Sequence, residues 1–103
     1  MTHIFDIDGT LVYYHTNNWI TGALEFIENA HNRGDKIVLI TMRGPQDRDK
    51  EWSVQNTMGT VIKDLNSRNI PHTVLWGMPS PRAIHDDAVI FANKRKTNQE
   101  WIV

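Results

Sequence analysis

The sequence predicts an α/β domain in which a parallel sheet carries helices on both faces, and three observations predict it. Short apolar runs at Thr2–Phe5, Lys36–Ile40 and Thr73–Trp76 read as strands, and longer stretches with apolar residues at helical spacing lie between them. Strands that alternate with helices imply right-handed crossovers and parallel pairing. The polar residues of chemical interest follow the strands directly, where open α/β sheets bind their ligands: Asp6 and Asp8 after the first, Thr41 and Arg43 after the second, Asp86 and Asp87 after a fourth.

The elements follow in order. Thr2–Phe5 ends in two apolar residues before Asp6, which suits a buried strand, and Gly9-Thr10 marks a turn. From Trp19, the residues Ile20, Ala23, Leu24, Ile27 and Ala30 describe a helix, with Asn17 or Asn18 as cap and Gly34 as stop. Lys36-Ile37-Val38-Leu39-Ile40 is a continuous aliphatic run, as in a strand covered on both sides. After the Gly44-Pro45 loop, Val54, Met58, Val61, Ile62 and Leu65 form the stripe of a second helix over about 47–68, ended by Asn69-Ile70-Pro71. Thr73–Trp76 is a third strand, Gly77–Pro81 a turn-rich loop and Arg82–His85 a fourth strand leading into Asp86-Asp87. The tail from Ala88 to Val103 is assigned no element.

A length of 103 residues fits a single domain, 1–103, with one core. With no cysteine, disulfides and thiolate metal sites are excluded, so a bound metal needs carboxylate, carbonyl, hydroxyl or imidazole ligands. That favours a hard cation such as magnesium. The net charge of −1 gives no global reason to expect an anionic partner. No apolar run approaches a membrane span and Met1-Thr2-His3 has no signal-like character, so a cytoplasmic location is the default and no membrane partner is expected.

The strand-end residues suit phosphoryl transfer. Uncatalysed phosphate-monoester hydrolysis is so slow that an enzyme must lower its barrier by up to about 23 kcal/mol or more, which requires several effects together. Asp6 can attack phosphorus and form an aspartyl-phosphate, splitting one displacement into two. Asp8, two residues on and projecting to the same side, can protonate the leaving oxygen and then activate water. Asp6, with one or both of Asp86 and Asp87 and the carbonyl of Asp8, would hold magnesium. Gly9 allows close approach of backbone amides, and Thr41 and Arg43 add donors to the phosphate.

Asp6-Ile7-Asp8-Gly9-Thr10-Leu11-Val12 resembles the first motif of the haloacid dehalogenase superfamily of phosphatases. Ile37-Val38-Leu39-Ile40-Thr41 looks like its second motif, and Ile84-His85-Asp86-Asp87 like the paired-acid form of its fourth. Thr41-Met42-Arg43-Gly44 and Gly77-Met78-Pro79-Ser80 resemble the small capless members of the capsule-biosynthesis and hydrolase-like group. The resemblance implies a three-layer, Rossmann-like core and a magnesium-dependent phosphomonoester hydrolase. In this reading Asp6 is the nucleophile and Asp8 the general acid and base. Gly9, Thr10, Thr41, Met42, Arg43 and Arg82 face the phosphate, and Asp6, Asp8, Asp86 and Asp87 form the metal site. The family's third motif carries a lysine where this chain has Met78, and Arg82, Arg43 and Lys50 are the candidate replacements. Only 12 residues separate Gly9 from Gly22 and 33 separate Arg43 from Gly77, so no cap domain fits. In the family an open site goes with macromolecular substrates or with shielding by a neighbouring subunit, so a homo-oligomer is the further expectation.

Two alternatives accompany this reading. Met78 in the lysine position suggests a weakly active or inactive phosphate- or metal-binding module, and the open site with the basic Lys94-Arg95-Lys96 suggests a nucleic-acid end phosphatase. Trp19, Trp52, Trp76 and Trp101 are read as packing residues and Lys94–Lys96 as a solvated helix face. His85 is expected half-buried and bonded to backbone, and His3, His15, His31 and His72 are assigned no role.

Overall fold

A computed structural model describes residues 1–43 and 57–103. Among these, three strands and two helices follow in the order β1 (Thr2–Asp6), α1 (Ala23–Asn32), β2 (Lys36–Ile40), α2 (Thr57–Ser67) and β3 (Thr73–Leu75). The predicted start of the second helix near residue 47 lies outside the described residues, as do Gly44, Pro45, Lys50, Trp52 and Val54.

The strands form one parallel sheet in the order β1-β2-β3, with Phe5 beside Leu39 and Leu39 beside Val74. Successive crossovers in one direction place their helices on one face when both are right-handed. The side chains agree. Phe26 of α1 meets the Phe5 ring at 6.1 Å, and Arg68 just past α2 pairs with Glu28 of α1 at 2.7 Å. The sheet is therefore flanked by helices as predicted, but the described pair share the face of His3 and Phe5. On the opposite face Ile4 is 50% and Leu75 41% exposed, so a third layer over that face is not among the described elements.

The core lies between sheet and helices. Phe5, Ile37 and Leu39 meet Ala23, Ile27 and Ala30 of α1 and Val61 and Leu65 of α2, and Ile7, Leu11, Val12 and Ile20 close the end nearest the strand tips. Trp101, from the tail, completes an aromatic group with Phe5 at 5.8 Å and Phe26 at 4.7 Å. Such contacts add about 0.5–1.5 kcal/mol per pair beyond simple burial.

Helix α1 begins later than the apolar spacing suggests. Residues 11–20 instead satisfy their backbone groups as a hairpin: Val12 bridges antiparallel to Trp19, Tyr13 N–H donates to the Asn18 carbonyl at 2.9 Å, and Ile20 N–H donates to that of Leu11 at 2.8 Å. Ile20 is buried from this hairpin and Trp19 half-buried against the core, which is why they mimic a helical stripe. The cap position is Gly22 at φ 85°, with no side-chain cap bond, in place of Asn17 or Asn18. Gly34 ends α1 as expected, and Asn69 at φ 55° ends α2.

The predicted fourth strand is absent: residues 82–85 are irregular and His85 is exposed. Pro79 and Pro81 supply no N–H to a ladder, and the Arg82 side chain folds back to the Met78 carbonyl at 2.6 Å and 3.1 Å. Asp86 then turns its carboxylate onto the Ala88 N–H at 2.8 Å, closing a turn where a strand would continue.

At the opposite end from the strand tips, Asp35 gathers His3 Nε2 at 3.0 Å, the Met1 amino group at 3.1 Å and Arg33 at 3.2 Å. The bond from His3, then the Met1 amino group, lowers the Asp35 pKa from 3.8 to about 2. A carboxyl depressed by folding stabilises the fold fully above its unfolded pKa and loses that contribution as pH falls through the folded value. Asp35→Asn is therefore expected to lower stability at pH 6, with the difference from the parent shrinking between pH 4 and about 2. Urea midpoints across that range check it.

Candidate active site

The loop after β1 is shaped by one carbonyl. Ile7 O accepts the N–H groups of Thr10, Leu11 and Val12 at 3.1, 2.9 and 3.2 Å, so the chain makes a tight turn just beyond Asp6 and Asp8. Gly9, at φ 79°, donates its N–H to Val12 at 2.8 Å. That amide is engaged in the turn, so Gly9 shapes the loop instead of offering a donor to phosphate.

The tips of β2 and β3 are tied to each other behind this loop. Thr41 N–H donates to Leu75, Met78 N–H donates to Thr41 at 2.8 Å, and Gly77 N–H donates to Arg43 at 2.7 Å. Thr41 is buried at 3% exposure, and its hydroxyl accepts the Arg43 N–H at 3.2 Å. Arg43 brings its guanidinium to 3.6 Å from Asp8 Oδ2. Met42 is 61% exposed on the rim, where its sulfur accepts the Ser80 hydroxyl at 3.4 Å.

Arg82 crosses from the loop after β3. Its Nη1 lies 3.1 Å from Asp6 Oδ1, while Nε and Nη2 are anchored on the Met78 carbonyl. The position that carries Met78 therefore supplies a carbonyl, and the cation beside Asp6 arrives from Arg82. Asp6 Oδ2 accepts the Thr10 hydroxyl at 3.2 Å. Each carboxylate thus faces one guanidinium, and Asp8 Oδ1 is buried with no hydrogen-bond partner. Buried polar atoms are normally satisfied, so Asp8 Oδ1 is where a proton or a bound group completes the bonding.

Asp6, Thr10 and Arg82 are brought together by these contacts, as are Asp8, Arg43 and Thr41. The other two acids are not. Asp86 and Asp87 are exposed in the tail, and among the described residues no three Asp, Glu or His side chains gather as a metal-binding group. Magnesium takes close to six oxygens in an octahedron. Two carboxylates, each already paired with an arginine, do not make that donor set, so the arrangement does not fit the predicted magnesium site.

The tail contributes contacts to the loop that the sequence did not mark. Asn98 donates its N–H to the Gly9 carbonyl at 2.8 Å and accepts the Tyr14 N–H on Oδ1 at 2.8 Å, clamping loop to hairpin. Trp101 Nε1 donates to the Thr10 carbonyl at 2.8 Å, and Arg95 stacks over its ring at 3.6 Å. The Lys94–Lys96 segment is accordingly irregular chain with Arg95 folded onto Trp101, where a solvated helix face was predicted. The available signal was a tryptophan in a polar tail, which points to packing and not to the loop it would hold.

Compared with known proteins, the chain matches no family model, no curated protein and no solved structure. Among the described residues, no helix is long and apolar enough to cross a membrane.

Proposed function

We propose that this chain hydrolyses phosphate monoesters through an aspartyl-phosphate on Asp6, as its resemblance to the haloacid dehalogenase superfamily implies. The observation that carries this reading is Arg82 Nη1 at 3.1 Å from Asp6 Oδ1, with a second guanidinium, Arg43, beside Asp8. A carboxylate held between donors, next to two cations and a buried threonine hydroxyl, is a site where an anion is attracted and a nucleophile is kept in place.

In this mechanism Arg82 fixes Oδ1, and Oδ2 attacks phosphorus in line. The P–O bond to the leaving alcohol breaks, and protonated Asp8 delivers its proton to the departing oxygen. Water then attacks the same phosphorus, Asp8 takes a water proton, and the bond to Asp6 breaks to release inorganic phosphate. Charge developing on the phosphoryl oxygens meets Arg82, Arg43 and the hydroxyls of Thr41 and Thr10.

The test is turnover of p-nitrophenyl phosphate and acetyl phosphate, with and without added magnesium, alongside mass analysis of acid-quenched protein for one phosphoryl group on Asp6. Product without any trace of phosphorylated Asp6 in a burst experiment, or no product at all, removes the proposal. Arg82→Ala is expected to lower kcat by about a hundredfold, as loss of one transition-state donor does elsewhere. Arg82→Lys recovers part of it, because a lysine keeps the charge but not the two-point anchorage on Met78. Steady-state kinetics of the two variants separate these contributions.

A further inference from the structure

We propose that the phosphate ester taken at this site carries a nucleobase, seated on the exposed ring of Tyr14. The inference rests on the phosphate-site reading above and names its substrate class. Tyr14 is 54% exposed at the tip of the hairpin, yet it stands at the loop: its Cδ2 lies 3.6 Å from where a Cβ on Gly9 would sit. Its ring packs against that of His15 with centroids 4.0 Å apart and planes tilted by 59°, giving two aromatic groups in contact at the surface.

The platform is held rigidly. Tyr14 N–H is fixed on Asn98 Oδ1 at 2.8 Å, Tyr13 N–H on Asn18 at 2.9 Å, and the Tyr13 carbonyl accepts both the N–H and the hydroxyl of Thr16. His15 stands at φ 59°, a backbone region that side chains rarely adopt. An aromatic ring on fixed backbone loses little freedom when a ligand stacks on it. Bases stack on such rings whatever their sequence, with a gain of roughly fivefold to a hundredfold in affinity per base.

The tail also carries charges that suit the same ligand. Thr97 packs on Gly9, and Lys94 and Lys96 flank Arg95 just before it, both exposed. Arg95 is used on Trp101, which leaves the lysines as the cations of the tail nearest in sequence to the clamp. A base on Tyr14, its phosphate between Arg82 and Arg43, and further phosphates beside the lysines describe either a free nucleotide or the phosphorylated end of a nucleic acid.

Equilibrium binding to full-length protein carrying Asp6→Asn, which prevents turnover, tests the proposal with four probes: adenosine 5′-monophosphate, ribose 5-phosphate, adenosine and a 5′-phosphorylated oligonucleotide. The monophosphate is expected to bind about tenfold more tightly than ribose 5-phosphate. Tyr14→Ala removes that ratio and Tyr14→Trp keeps it. An oligonucleotide that binds more tightly still, with a gain lost in salt and in the Lys94→Ala, Lys96→Ala double variant, assigns the ligand to nucleic acid; equal affinity assigns it to free nucleotide. Ribose 5-phosphate binding as tightly as the nucleotide, or Tyr14→Ala weakening both alike, overturns the proposal. Adenosine separates the two levels of the argument: binding of adenosine that depends on Tyr14, with no binding of ribose 5-phosphate, keeps the base seat and removes the phosphate site.

Discussion

Asp6→Asn is expected to reduce kcat for phosphate-ester hydrolysis by on the order of a thousandfold or more, the scale seen when an attacking nucleophile is removed. The amide is the same size as the carboxylate and keeps a carbonyl oxygen for Arg82 to donate to, so the loop geometry has no reason to change. Arg82 itself stays anchored on the Met78 carbonyl by two bonds. Loss of rate with an unchanged melting temperature is the signature of chemistry lost without loss of fold. Asp8→Asn is expected to behave differently: with p-nitrophenyl phosphate, whose leaving group needs little protonation, phosphorylation of Asp6 persists while its hydrolysis slows. Rapid-quench kinetics show this as a burst followed by a slow steady rate. An Asp6→Asn protein that retains turnover removes the assignment of the nucleophile.

Gly22→Ala is expected to be the most damaging of the small substitutions considered for this fold. Gly22 stands at φ 85°, where an alanine costs about 1–2 kcal/mol on backbone grounds alone. A Cβ there also overlaps the carbonyl oxygen of Trp101 and approaches its carbonyl carbon to 3.1 Å. These are backbone atoms, fixed by the Trp101 N–H bond to Thr21 at 2.9 Å, and they have nowhere to rotate. Relief of such overpacking adds about 1–3 kcal/mol. The sum is a large share of the roughly 5–15 kcal/mol that holds a domain of this size. Gly34→Ala is the matched control. It shares the positive φ, at 89°, but no atom lies within 4 Å of its Cβ, so it carries the backbone cost alone. The difference between the two urea midpoints measures how firmly the tail is seated against the helix start; equal effects would show that Trp101 does not press on Gly22.

The parts of this molecule that were legible in the sequence are those in which local pattern and packing agree. Lys36–Ile40, apolar after its first residue, is the central strand; Gly34 and Asn69 end their helices because the left-handed backbone at those points suits glycine and asparagine. Asp6, Asp8, Thr41 and Arg43 stand at strand ends, and parallel strands bring their ends together whatever the side chains are. Trp19 and Ile20 misled because a hairpin that packs two neighbours against the core copies part of a helical stripe. The segment 82–87 misled because an apolar residue before two acids has the composition of a strand end, whereas its conformation follows from the bonds of Arg82 back to Met78 and across the fold to Asp6, the latter 76 positions away. Asn98 was silent for the same reason: an asparagine clamping Gly9 to Tyr14 has no local signature, since both partners lie more than eighty residues away in the chain.

That clamp has a consequence for how the site comes into being during synthesis. Asp6 and Asp8 are made before Arg82, Asn98 and Trp101, and the pair of Asp6 with Arg82 closes a loop of 76 positions. Helix α1 and the β1-β2 ladder involve only the first forty residues and can pair while the rest is still being made. The β1-β2 ladder and the loop after β1 therefore mature at different times. A chain stopped just before Arg82 still contains the residues of every strand and helix described here but lacks Arg82, Asn98 and Trp101, which set the loop, so such shortening removes the site before it removes the secondary structure.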